Sequence, residues 1–183
     1  MGKTKNKKVK KVKLESPPKI RRRIMKLWSE KVREAHGFRC AICGLKSGEV
    51  INGKPQKTDA HHIEDRRNHS LSFDFLNGIC LCVRHHKFGE NAAHRSLVYF
   101  SKWLQNIRPK QYEYILENRN KKIDLNSREE LYKIEQRLKL PVTDEESEIL
   151  NLQDVFNLEG KYELNPMSTT TTTTTLGSLF SNI

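Results

Sequence analysis

The chain contains no run of 18 apolar residues, which excludes a membrane-spanning helix. Apolar residues are lean throughout, 36% against 31% charged, so the ends are expected to lack structure. The lysine-rich start, Met1 to Lys13, is followed by no apolar segment and does not read as a secretory signal. The expected setting is therefore intracellular, cytoplasmic or nuclear, with no membrane partner. Cysteine is sparse, four in 183 residues. In a reducing compartment such thiols serve as metal ligands or core residues rather than as a disulfide framework. No internal repeat is visible.

Acidic residues are nearly missing from residues 1–39, which hold 3 Asp/Glu against 15 Lys/Arg. Basic residues are nearly missing from 141–183, which hold 1 against 7 acidic ones. A basic arm beside a mildly basic centre is the electrostatic footprint of a polyanion binder, although lysine runs also occur as solvated arms or import signals.

Four segments are expected. Residues 1–18 form a disordered basic arm, closed by Pro17-Pro18. Residues 19–116 form the principal domain. It opens with a helix over Lys19–His36, in which Ile20, Ile24, Leu27 and Val32 make an apolar stripe and Gly37 supplies the stop. A His-, Cys- and Gly-rich stretch follows. Leu97, Phe100, Trp103, Leu104 and Ile107 then mark a second helix with its aromatics in the core, and Pro109 opens a third. Residues 117–140 form a helical extension, where Ser127 and Glu130 make a capping-box pattern and Pro141 stops the helix. Residues 141–183 form an acidic tail without structure, ending in the low-complexity run Thr169–Thr175. His36 and His69 have no partner by spacing and read as surface residues.

Cys40-Ala-Ile-Cys43-Gly44 is a C-x2-C-G turn, and Cys82-Val-Arg-His85 supplies a matching C-x2-H pair. Two thiolates three positions apart reach one tetrahedral ion, and zinc accepts sulfur and imidazole nitrogen alike, so a structural Zn2+ is expected. Cys80 alternates with Cys82 on one strand face. It can replace Cys82 only by breaking the spacing to His85, and so reads as core.

Between the zinc half-sites lie His61-His62-Ile63, then Asn77-Gly78, then His86 directly after the second pair. This order resembles the HNH (ββα-metal) endonucleases. It is closest to small phage-encoded HNH proteins associated with recombination, through His61 to Asn68, Leu71, Asn77 to His86, His94, and Phe100 to Leu104. The resemblance covers roughly residues 19–116. It departs at His85, where such proteins usually carry cysteine, and at Ala92-Ala93, where Ser-Ala is common.

The resemblance implies an α+β fold: a small zinc-stapled ββα-metal core with flanking helices, its strands over Thr58–Ile63 and Gly78–Val83. It implies a metal-dependent endonuclease cutting DNA, double-stranded or branched, to 5′-phosphate and 3′-hydroxyl ends. Within it, His62 is the general base and Asn77 holds the loop that carries His62. His61 and His86 hold a catalytic Mg2+ or Mn2+, with His94 as third ligand and Glu90 in reserve. A histidine near its ordinary pKa is poised as a base at neutral pH, and a divalent ion stabilises charge developing on the phosphate. Arg66 and Arg67 are candidates for contact with the nucleic-acid backbone. On a regular strand His61 and His62 point to opposite faces, so the implied site requires the strand to end or bend there. The alternatives are a zinc-dependent nucleic-acid-binding module without catalysis, or a recombination accessory protein active only within a complex. Sequence specificity and oligomeric state are not written in any residue pattern.

Overall fold

The structure, a computed structural model, describes residues 14–152. The expected arm up to residue 13 and the tail from residue 153 lie outside the described residues. Within them the chain is a mixed helix-and-sheet protein, as expected, ordered α1 (Pro17–Ala35), β1 (Val50–Ile51), β2 (Lys54–Pro55), β3 (Thr58–His62), β4 (Gly78–Cys82), α2 (Leu97–Ile107), α3 (Pro109–Asn118), α4 (Arg128–Lys139) and α5 (Asp144–Ile149). A 3-10 turn, Phe75–Asn77, leads into β4, and a turn of π-helix, Arg84–Phe88, follows it. No helix among the described residues is long and apolar enough to cross a membrane.

The proline pair opens α1 rather than closing the arm: both prolines occupy first-turn positions, where a missing N–H costs nothing. The buried stripe Ile20, Ile24, Trp28, Val32 and Ala35 recurs close to helical period. The helix stops where Gly37 and Phe38 take left-handed φ of 58° and 57°. The stripe packs on α4 through Leu131 and Leu138. There Arg23 also makes a two-pronged ion pair with Glu135, at 3.0 and 2.8 Å.

The β3–β4 hairpin is antiparallel, with Asp59 opposite Leu81, His61 opposite Ile79 and His62 opposite Gly78. Its two faces belong to different cores. Ala60 packs into the α1/α4 core. Ile79 and Leu81 join Phe100 of α2, Ala93 and Cys40 in the second. Gly78 is required by close approach: a Cβ there would lie 2.2 Å from Cγ2 of Val32. Gln111 of α3 pins the start of β4 by donating to the carbonyls of Leu76 at 2.8 Å and Gly78 at 3.1 Å.

Two expectations are corrected and one element is added. The fold does not end at residue 140: Thr143 and Glu146 form a reciprocal capping box that starts α5. Leu150 and Leu152 are buried in the α1/α4 core, so residues 117–152 share that core rather than forming an extension and a tail. His36 is no surface residue. It is fully buried, its Nδ1 2.9 Å from the Val32 carbonyl and its Nε2 3.3 Å from Arg108. Finally, Asn52 and Gly53, with φ of 51° and 72°, turn a short β1–β2 hairpin not anticipated from the sequence, although an Asn-Gly pair favours that turn.

Candidate metal centres

The first cluster is Cys40, Cys43, Cys82 and His85, whose ligand atoms lie within 4.8 Å of one another. Gly44, at φ 71°, lets the Cys40–Cys43 turn close, and the Ala41 N–H donates to the Cys80 carbonyl at 2.8 Å, docking the turn on β4. Ligands about 2.0–2.3 Å from a tetrahedral zinc stand roughly 3.5–3.8 Å apart. Here the Cys43 and Cys82 sulfurs are 3.9 Å apart, and His85 Nδ1 is 3.5 and 3.3 Å from the sulfurs of Cys40 and Cys82. The four residues therefore fit a metal such as zinc. Bonds from Cys40 and Cys43 hold the Cys82 thiol far below its usual range. Burial pushes His85 down, but its bonds to Cys40 and Cys82 outweigh this and raise it to about 9. Cys80 is buried and outside the cluster, as expected, and burial pushes its thiol up to about 12.

The second cluster is His61, His86 and His94, also with ligand atoms within 4.8 Å. His61 comes from the end of β3, His86 from the π-helical turn and His94 from the loop before α2. That loop is tied down by the N–H groups of Ala93 and His94, which donate to the carbonyls of His85 and His86 at 2.9 and 3.2 Å. Gly89 ends the π-helical turn, donating to the Arg84 carbonyl at 2.7 Å. The Nε2 atoms of His86 and His94 are 3.1 Å apart, close to the roughly 3 Å expected of two imidazoles on one ion. His61 and His86 are buried and His94 is exposed, so the cluster opens to solvent on the His94 side. Burial, then the neighbouring imidazoles, pushes His61 down to about 3, which keeps it neutral and able to ligate. Glu90, the reserve ligand, is not in this set.

His62 stands apart from both clusters. The strand stays regular to its last residue, so the pleat sends His61 to one face and His62 to the other. There the His62 ring stacks on Trp28, and its Nε2 lies 3.0 Å from the Ser72 carbonyl. Burial lowers its pKa, the Ser72 bond opposing. Asn77 is fully buried and touches no cluster. Its Oδ1 accepts from the Glu64 N–H at 2.7 Å, and its Nδ2 donates to the carbonyls of Glu64 and Leu71 at 2.9 and 3.1 Å. The loop after His62 is thus strapped to the start of β4. No protein-family model, curated protein or solved structure matches the chain.

Arg66 and Arg67 are exposed on that loop. Arg67 is already engaged, donating to both Asp65 oxygens at 2.9 and 3.2 Å. Three residues around the site were not singled out from the sequence. Trp28 of α1 stacks on His62, a long-range contact that no spacing announces. Ser72 acts through its backbone carbonyl, which its side-chain type does not encode. Asp59 lies 3.6 Å from His86 Nδ1. Alternation on β3 carried a signal for it, since residues 59 and 61 share a face.

Proposed function

We propose that the chain is a metal-dependent endonuclease of the HNH type, hydrolysing phosphodiester bonds in DNA. The observation that carries this reading is the assembly, around one short hairpin, of a three-histidine ion site, a strand-end histidine and an asparagine strap, beside a separate Cys3His site. A non-catalytic zinc module has no use for the second cluster.

The division of labour follows from the bonds. His62 donates its Nε2–H to Ser72, so Nδ1 carries the lone pair that can take a proton from water. The water oxygen bonds to phosphorus as the bond to the 3′ oxygen breaks, and the 3′ oxygen takes a proton from solvent, leaving 5′-phosphate and 3′-hydroxyl ends. Trp28 and Ser72 hold the ring of the base, and Asn77 holds the loop that follows it. His61, His86 and His94 would hold the ion, which when bound would stabilise the negative charge growing on the phosphate. Imidazole suits zinc, nickel, iron or copper, whereas Mg2+ and Mn2+ favour oxygen, so this all-nitrogen set fits a softer ion better than the expected Mg2+ or Mn2+. The substrate has to straddle the loop end of the hairpin, because His62 and the three histidines lie on opposite faces of it. Arg66, exposed on the loop that follows His62, is the side chain available to meet a backbone phosphate in this reading.

The stacking of His62 on Trp28 favours a second reading, in which His62 is a core residue and the protein binds nucleic acid without cutting it. Nicking of supercoiled plasmid and cleavage of branched DNA, single-stranded DNA and RNA, each with Mg2+, Mn2+, Zn2+ and Ni2+, decides between them. Cleavage lost in the His61→Ala protein supports the nuclease. Binding with no cleavage of any substrate under any ion supports the module.

A further inference from the structure

Among the described residues, His86 Nδ1 is the one buried side-chain nitrogen or oxygen with no hydrogen-bond partner. The opposite edge of that ring is occupied, with Nε2 3.1 Å from Nε2 of His94. An imidazole that gives one nitrogen to an ion carries its proton on the other, and a buried N–H without an acceptor is costly. The group facing His86 Nδ1 is Asp59, with a carboxylate oxygen at 3.6 Å. Asp59 reaches this position because it precedes His61 by two residues on β3, so both side chains leave the same face of the hairpin. Its side chain is 49% exposed, so its other oxygen is open to solvent.

We propose that Asp59 is the positioning residue of the three-histidine centre. It accepts the His86 Nδ1 proton, fixes the tautomer that leaves Nε2 free for the ion, and orients the ring. The inference rests on the reading of His61, His86 and His94 as an ion site, but not on catalysis. The carboxylate stands a few tenths of an ångström beyond hydrogen-bond length, and closing that gap requires only a small turn of a half-exposed side chain. Such outer carboxylates commonly contribute about 10–100-fold to metal affinity. Asp59 itself is outside the set whose ligand atoms meet.

The test uses the full chain with zinc already in the Cys3His site and two readouts. Co2+ is titrated by calorimetry and visible absorption, and the tautomer of His86 is read from 15N chemical shifts of its ring without Co2+. In the wild-type protein Nδ1 should be protonated. Asp59→Ala should weaken Co2+ binding about 10–100-fold and mix the tautomers. Asp59→Asn keeps an acceptor oxygen and should lose less. Unchanged tautomer and unchanged affinity in Asp59→Ala would overturn the proposal. So would equal losses in Ala and Asn with the tautomer intact, since Asp59 would then be a direct ligand. If the wild-type protein binds no Co2+ at these histidines, with His61→Ala giving the same titration, the ion-site reading fails by itself. The tautomer measurement then decides the Asp59 contact alone. Nicking is not a readout, so an inactive protein leaves both conclusions intact.

Discussion

The rings of Trp28 and His62 lie face to face, their centroids 3.7 Å apart and their planes 10° from parallel. Trp28 is itself fixed, its Nε1–H donating to the Asp74 carbonyl at 2.9 Å. A long helix from the start of the domain thus sets the orientation of a residue at the tip of the hairpin.

If His62 is the base, His62→Ala should lower the cleavage rate by about 10²–10⁴-fold, the usual contribution of a general base. Zinc content and secondary structure should be retained, because His62 belongs to neither ion cluster. Nicking rate and melting temperature measured on the same preparation check this. Cleavage at the wild-type rate would remove His62 from the mechanism.

Cys43→Ala should behave differently. If the Cys3His cluster holds zinc, the change opens a four-ligand site whose metal affinity would be part of the folding free energy, so zinc content and melting temperature should fall together. Metal analysis of the purified wild-type protein should find one tightly held zinc. Folded protein free of zinc would refute the assignment.

The hairpin strands implied by the resemblance, Thr58–Ile63 and Gly78–Val83, lie within one residue of those observed. The choice of His94 over Glu90 came from the resemblance and not from spacing, and His94 is the one that stands with His61 and His86. What the sequence hid is long-range packing. Nothing local marks His36 as buried, since beyond its one-turn contact with Val32 its partner is Arg108, 72 residues on. The acidic composition after Pro141 masked α5, whose capping box at Thr143 and Glu146 was outweighed by the surrounding charge.

Burial, and then the charge of Arg108, push His36 down to about 3, against about 6.5 in an unfolded chain. Between these values the unfolded chain binds a proton that the folded one refuses. The stabilisation is therefore complete above about pH 6.5 and is lost as pH falls toward 3, at up to roughly 1.4 kcal/mol per unit. Urea unfolding between pH 6.5 and 4.5 should show a steeper loss for the wild-type chain than for His36→Phe. Equal slopes would mean that His36 titrates normally in the folded state.

Gly78→Ala should destabilise the protein by about 1–3 kcal/mol, the usual cost of overpacking. Its Cβ would meet Val32 Cγ2 at 2.2 Å and the Phe75 carbonyl at 3.0 Å. Adding Val32→Ala should recover part of that loss, a non-additivity readable in denaturant midpoints. Strict additivity would place the strain elsewhere.

Asn77→Asp keeps the shape but sets a carboxylate oxygen against the carbonyls of Glu64 and Leu71. It should cost roughly 1–3 kcal/mol or more for the bonds left unmade. Amide exchange at Glu64, whose N–H donates to Asn77 Oδ1 at 2.7 Å, should quicken in Asn77→Ala. Unchanged protection at Glu64 would show that the strap does not hold the loop.

His85 and His86 are neighbours in the chain, yet they face different clusters, one completing the sulfur set and the other the imidazole set. A single turn of π-helix carries both. If each cluster holds an ion, the two would share this backbone, and any coupling between them would be reciprocal: whatever factor the first ion adds to the affinity of the second, the second returns to the first.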